Sequence, residues 1–452
     1  MARYREPVSS GDQLFLLPPS VSDFVSLDSP VRVLSEIVDA LDCSALYGRS
    51  GGAGAPSYDP RLLLKVLVFG YWQGLRSSRK LEAALTYDVR YMYLAQMSRP
   101  DYRTIARFRV SNEKAITALF GETVRLCRSL GLALLEHVSV DGTKLEANVS
   151  SRHTYTKQRV DETLEVTEAA IAQILAEARE CDEREDAELG NDSGNDPPEH
   201  LRGLERRREL LRKAKEEMQE HNVCTVAATD LDSRVMRTDG RNRSAYNAQA
   251  VVDSANQVII AAVVSQDQGD HALLVPMLKE AEAVTRSAPE KVTADSGYWS
   301  TEAAEYIEKS GIDAYVAVAG NKHNRKEGYE YNEEQDQFIG PNGEILPFYN
   351  ERENRRKLYK VYRYGRTRKE LWVAQHGGMI DRMRAKITSP EGKALYRLRQ
   401  QIVEPVFGHI KGAMNLRRLL LRGLAGATAE YTLACCAHNI QKIMPVWRES
   451  RS

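Results

Sequence analysis

Residues 135–149, LEHVSVDGTKLEANV, decide how the rest of the chain is read. Apolar residues alternate with polar ones at Val138 and Val140, and again at Leu145, Ala147 and Val149, which is the period of a strand with one buried face. Upstream, to about residue 131, the period is helical. VRVLSEIVDAL places apolar residues at 31, 33, 34, 37, 38 and 41, close to one helix face. Pro60 suits the first turn of a second helix, Ser77 or Ser78 suits the cap of a third, and Asp101 suits the cap of a further one. The Gly-rich stretch 46–58 reads as a loop. Residues 29–131 therefore read as a helical domain behind a loose arm, 1–28. Short helices bearing Arg and Lys fit a helix-turn-helix-like DNA reader or a plain helical support equally well.

Downstream of the strand comes a charged block, 156–222. Leu164, Ile171, Leu175 and Ala178 mark one helical face, NDSGNDPP at 191–198 breaks it, and Leu201, Leu204, Leu211 and Met218 mark a second. The pattern predicts an antiparallel helical hairpin inserted between strands. AYNAQAVVDSANQVIIAAVVS (245–265) holds two β-rich runs around a turn, EKVTADSGY (290–298) a short strand, and IDAYVAVAG (312–320) another. Helical segments alternate with these, one of them closing at Gly311. Residues 320–385 are polar and basic with weak strand signals in KLYKVYRYG and ELWVAQ, and 386–452 is helical. The fold class expected is α/β, a mixed sheet flanked by helices, with its core in 132–155, 223–319 and the final helices.

Composition narrows the function. The chain has 452 residues, 42% hydrophobic and 28% charged, enough for a sizeable core and too apolar for a disordered chain. No run approaches the ~20 apolar residues of a membrane span, and MARYREPVSSGDQ lacks a signal-peptide apolar region. Six scattered cysteines without CxxC spacing read as reduced cytosolic thiols. Net charge is zero but unevenly placed. Residues 161–220 hold 19 acidic and 9 basic residues, so the rest carries an excess of 10 positive charges. The stretch 352–370 has 9 basic and 2 acidic residues, and 396–422 has 6 basic and one acidic. Basic runs interleaved with Tyr fit phosphate-backbone contacts, whereas the acidic hairpin reads as a spacer or dimerisation element rather than a DNA surface.

Three acids stand where such a sheet would place a site. Asp141 and Asp295 each follow an apolar strand and precede a glycine, Gly142 or Gly297, and Glu404 lies on a late helix. Taken singly, each Asp also suits an ordinary turn. Converging carboxylates repel unless a cation sits among them. Hard oxygen donors with room for water and phosphate suit Mg²⁺ or Mn²⁺, and two ions roughly 3.5–4 Å apart suit phosphodiester chemistry.

The chain resembles the DDE transposases of bacterial insertion sequences, in the YREK-type group with an RNase H-like catalytic core. The resemblance runs through YDPRLLLKVLVFGYWQGLRSSRKLEAAL and RPDYRTIARFR, VSVDGTKLEANVS, GRNRSAYNAQAVVDSANQVIIAAVVSQDQGDH, VTADSGYWSTEAAEYIEKSG and YRLRQQIVEPVFGHIKG. It implies that Asp141, Asp295 and Glu404 are catalytic and hold two Mg²⁺ or Mn²⁺ ions. Water would hydrolyse the element ends, and the freed 3′-hydroxyl would then attack target DNA. Tyr396, Arg399, Glu404 and Lys411 supply the residue types of the family's third block. However, four residues separate Arg399 from Glu404 where the family has three, which rotates Arg399 by ~100° and offers Arg397 as a substitute. Pro405 predicts a kink or a helix restart. Arg399 and Lys411 are expected to position phosphates, Arg417 and Arg418 to add DNA contacts, and Tyr298 to stack on a base or simply pack. His271 and His409 read as hydrogen-bonding neighbours, and the absence of cysteine from 320–385 predicts no zinc there. The implied partner is double-stranded DNA, with at least a homodimer joining two ends, no membrane association, and a cytoplasmic, nucleoid-associated location. A nuclease or resolvase that cuts without joining, or a non-catalytic DNA-binding derivative, are the alternatives on the same core.

Overall fold

The computed structural model describes residues 20–47, 58–189, 199–318, 329–332, 335–354, 357–365, 370–374 and 377–449. The arm up to residue 19, most of the Gly-rich loop, and the 191–198 break lie outside the described residues. Six helices come first: α1 (Pro30–Ala40), α2 (Pro60–Trp72), α3 (Ser78–Tyr87), α4 (Val89–Leu94), α5 (Tyr102–Ser111) and α6 (Glu113–Ser129). Their starts follow local chemistry. Pro30 and Pro60 occupy first-turn positions, where a missing N–H costs nothing. Asp59 accepts from Arg61 N at 2.8 Å and Asp101 from Thr104 N at 2.7 Å. Helix α1 buries Val31, Val33, Leu34, Ile37 and Val38, the face its periodicity marks.

The period change after residue 131 is the entry into the sheet. Strand β1 (His137–Glu146) is followed by β2 (Thr154–Thr156), the helices α7 (Lys157–Leu189) and α8 (Glu199–Glu220), β3 (Thr225–Ala227), β4 (Arg234–Thr238), β5 (Arg241–Asp253) and β6 (Ile259–Ser265). Then come α9 (Leu274–Thr285), β7 (Lys291–Ala294), α10 (Thr301–Ser310) and β8 (Asp313–Val316). Strand β1 is central, antiparallel to β5 and parallel to β7, which is in turn parallel to β8. On its other edge β5 carries β4 and then β6. The result is an RNase H-like mixed sheet. Two details depart from the sequence reading. Asp141 does not end β1; it sits mid-strand paired with Ala250, and Gly142 continues the strand opposite Gln249 rather than turning. The β4–β5 hairpin was not anticipated, although Asp239 and Gly240, both at positive φ, form the Asp-Gly turn that favours one.

The acidic insertion is a two-helix hairpin, α7 and α8, standing on the β2–β3 pair. It has its own small core of Tyr155, Val160, Leu211, Ala214, Met218 and Val226. The basic segment after β8 folds as an antiparallel meander, β9 (Glu330–Asn332), β10 (Gln337–Ile339), β11 (Ile345–Asn354), β12 (Lys357–Arg363) and β13 (Glu370–Ala374). Only β12 and β13 were foreshadowed by sequence.

Helices α11 (Gly377–Thr388), α12 (Pro390–Lys411) and α13 (Gly423–Glu449) complete the fold. Helix α12 lies against β1 and β7. It runs on through Pro405 without restarting. Pro405 cannot donate to the carbonyl four residues back, and that carbonyl, Gln401 O, instead accepts from Gln257 Nε2 at 3.1 Å. Helix α13 is buried along most of its length between α6, α2 and α1 on one side and β6 on the other. Asn439 fixes it to the sheet, bonding both Ile259 N (3.0 Å) and Ile259 O (2.8 Å). The N-terminal helices and the sheet therefore share one hydrophobic core. Among the described residues no helix is long and apolar enough to cross a membrane.

Candidate active site

The site forms where β1 and β7 run side by side. The last registered pair is Val140 with Ala294, so Asp141 and Asp295 stand one step further on neighbouring strands, whose backbones lie about 4.8 Å apart. Asp295 caps a 3₁₀ turn, with Oδ1 accepting from Gly297 N at 2.8 Å. Asp141 Oδ1 accepts from Gly142 N at 2.8 Å, and its Oδ2 accepts from Arg399 Nη1 on α12 at 3.0 Å.

A third carboxylate joins them, and it is Asp270, in the loop between β6 and α9. Its Oδ1 takes hydrogen bonds from Asn247 Nδ2 (2.7 Å), Gln249 Nε2 (2.8 Å) and Lys144 Nζ (3.3 Å). A Cβ built on Gly297 would lie 3.0 Å from Asp295 Oδ1 and 3.6 Å from Asp270 Oδ2, so both carboxylates border one point. Gln249 organises this layer. It donates to Asp270 and to Asn247 Oδ1 (2.8 Å), and it accepts from the Tyr298 hydroxyl. Its amide crosses β1 above Gly142, where any Cβ would collide with it. A glycine beside Asp141 is thus required by packing.

The electrostatics follow from this crowding. Burial pushes the Asp141 pKa above the ordinary carboxylate value. The Gly142 amide and the Arg399 guanidinium oppose the rise, and the charges of Asp295 and Asp270 add to it. Burial likewise raises the Tyr298 hydroxyl, with Asp270, Asp141 and Asp295 contributing.

Several expected site residues are placed differently. Glu404 is exposed on α12, and among the described residues its carboxylate makes no hydrogen bond or ion pair. Among the described residues no group of three His, Cys, Asp or Glu side chains is arranged to hold a metal ion. Arg399 and Glu404 stand five positions apart on α12. A five-residue step turns about 140° on a helix, against about 40° for four. Arg399 faces the sheet with Ile402, Val403, Val406 and Ile410. Arg397, Glu404 and Lys411, spaced by sevens, share another flank. Arg399 therefore holds a carboxylate in this structure rather than standing free for a phosphate. Tyr396 is half-buried, with the Arg399 guanidinium 5.7 Å from its ring centre. Tyr298 is fully buried, so it packs and offers no face to a base. Lys411 is half-buried, and burial lowers its pKa. Arg417 and Arg418 are exposed beside the end of β1, and Arg418 donates to Val149 O at 2.8 Å. His271 is exposed, and His409 meets His438, Nδ1 to Nδ1, at 3.1 Å.

Two family matches bear on this arrangement. Residues 19–111 match the transposase domain DUF772, and residues 227–440 match the transposase DDE domain. The chain belongs to the DDE transposases. No curated protein matches it. The first match spans the arm's end through α5. The second contains Asp270, Asp295 and Glu404 and begins after Asp141. In this transposase, sequence reading missed Asp270, Asn247 and Gln249. The available signal was two polar residues, Asn247 and Gln249, at alternate positions inside the otherwise apolar run 245–252 of β5, which places both on one face toward the site.

Proposed function

We propose that the chain cleaves DNA at the ends of an insertion sequence and joins the freed ends to target DNA, with Asp141, Asp295 and Glu404 as its acidic triad. The observation carrying this reading is that Asp141 and Asp295 both stand one step beyond Val140 and Ala294, the last registered pair of two adjacent parallel strands. The oxygen donors fit one or two divalent ions, Mg²⁺ or Mn²⁺, held by the two aspartates and completed by Glu404. When bound, such ions polarise phosphoryl oxygens and stabilise both attacking and leaving oxygens. The chain's own part is positional. Rigid β1 and β7 fix the aspartates, the Gly142 and Gly297 amides orient their oxygens, and Asp270 with Gln249 sets the polar floor. Arg399 neutralises Asp141 in the ion's absence. Bringing Glu404 to the aspartates requires α12 to rotate or shift about its Pro405 segment, which removes Arg399 from Asp141 in the same motion. Arg397 and Lys411 share the Glu404 flank and would arrive with it, suited to hold phosphates. The partners are double-stranded DNA and a second copy of the chain.

The test is strand transfer in vitro with DNA carrying the element ends and Mg²⁺ or Mn²⁺. Cut and joined products are expected from the wild type, and neither from Asp141→Asn, Asp295→Asn or Glu404→Gln. Full activity in Glu404→Gln would remove that residue from the triad. Cut ends without joined product would reduce the chain to a nuclease.

A further inference from the structure

The base of the α7–α8 hairpin holds a cleft of about 450 Å³ that the catalytic reading does not use. Its rim carries Arg152, His153, Arg206 and Arg207, its floor includes Tyr155, and Thr229 contributes a buried hydroxyl with no partner. The hairpin as a whole is acidic, but four of its acids pair with cations outside the cleft. Glu168 pairs with Arg212 at 2.7 Å, Asp161 with Lys215 at 2.7 Å, Glu209 with Lys213 at 3.2 Å and Glu217 with Arg234 at 2.7 Å. Among the described residues the side chains of Arg152, Arg206 and Arg207 make no hydrogen bond or ion pair. Net charge hid this: three exposed guanidinium groups are gathered on one concavity.

The cleft follows the end of β1 in the chain. From Asp141 to Glu146, strand β1 advances about 16 Å. There the loop carrying Arg417, Arg418 and Arg422 is laced to it. Glu146 N donates to Arg417 O at 2.9 Å, Arg418 to Val149 O at 2.8 Å and Arg422 Nε to Asn148 O at 3.1 Å. Arg152 follows three residues after Val149. Arg417, Arg418 and Arg422 thus stand at the end of β1, which lies a few residues before Arg152 of the cleft.

We propose that this cleft clamps the phosphodiester backbone of the DNA flanking the reacting bond. Guanidinium groups match phosphate oxygens in bidentate geometry, and three unpaired ones on one rim suit adjacent phosphates. The proposal rests on the reading of the chain as a DNA-processing enzyme.

Its test compares the full-length wild type with the triple variant Arg152→Gln/Arg206→Gln/Arg207→Gln by fluorescence anisotropy. The probe is a duplex of arbitrary sequence, about 30 base pairs or three turns long, across a range of salt. Each phosphate contact contributes about 0.9 to the slope of log affinity against log salt. The variant should lose about 2–3 from that slope and bind 10- to 100-fold more weakly at low salt, with unchanged circular dichroism. The triple Arg→Lys variant should keep most of the slope, which separates lost charge from lost fold. An unchanged slope in the Gln variant overturns the proposal. So does competition by inorganic phosphate alone at millimolar levels, which would mark a small-anion site. A wild type that binds no duplex would overturn the DNA reading itself and this proposal with it.

Discussion

Replacing Gly142 with alanine probes the site's polar layer without touching a carboxylate. The added Cβ lands on the Gln249 amide, 2.8 Å from its Cδ and 3.1 Å from its Oε1. Gln249 is fully buried and held by Asn247, Asp270 and Tyr298, so moving it aside breaks those bonds. Displacing it breaks one hydrogen bond to a charged acceptor, about 1.5–3 kcal/mol, and one or two neutral ones, about 1 kcal/mol each. Loss of glycine's extra backbone freedom returns about 0.5–1 kcal/mol. The net expectation is a destabilisation of about 3 kcal/mol. Urea unfolding followed by tryptophan fluorescence measures it, since Trp299 adjoins Tyr298. The decisive form is a double-mutant cycle. In a Gln249→Ala background the obstruction is gone, and Gly142→Ala should be neutral or slightly stabilising. If Gly142→Ala is harmless in the wild-type background, or equally costly in both, Gln249 does not constrain this position and the packing argument is wrong.

Other expectations address the remaining features. Asp295→Asn should lower DNA cleavage at least about 10³-fold, a loss of roughly 4 kcal/mol of transition-state stabilisation, with the urea midpoint unchanged or raised. Arg399→Gln should raise the affinity of the apo protein for Mn²⁺, measured by electron paramagnetic resonance, because the ion no longer competes with a guanidinium for Asp141; unaltered affinity would deny that competition. Burial lowers the His438 pKa to about 4, from an ordinary 6.5. A depressed folded value means His438 favours the folded state above about pH 6.5, and this contribution is lost as pH falls toward 4. About 3 kcal/mol is at stake by linkage, and thermal unfolding of His438→Gln should show a flatter acid limb. Arg76→Met should cost about 3–5 kcal/mol, since Arg76 meets buried Glu430 at 2.7 Å and also donates to Asn415 O and Arg418 O, so its removal leaves a buried charge without its cation and two carbonyls without their donor; an unchanged denaturant midpoint would refute this.

What the sequence made legible was periodicity. Helix α1, strand β1 and the insertion hairpin all announce themselves through spacing of apolar residues, because burial of one face dictates that spacing. Asp295 was readable for a related reason: a short apolar strand ending in a polar turn puts its last side chain at the sheet's edge. Asp270 was not, because it lies in an irregular loop and is defined by contacts from β1 and β5, more than 20 residues away or across the sheet. Glu404 shows the converse limit. Its block could be matched by residue type, but the face it occupies depends on a single residue of helical phase against Arg399. The β9–β11 strands were obscured by polar composition, since an edge meander with a three-residue apolar cluster, Leu346, Tyr362 and Leu371, needs little hydrophobic pattern.

The position of α13 bears on how the chain becomes active. This helix is synthesised after every strand and helix it supports, yet it fills the seam between the N-terminal helices and β6. At 5–20 residues per second, translation takes on the order of tens of seconds to reach it. Until then the nascent polypeptide presents an open apolar trough, which ribosome-proximal holdases are suited to shield, and the aspartates have no rigid frame. The seam between the N-terminal helices and β6 therefore closes late, once α13 has been made.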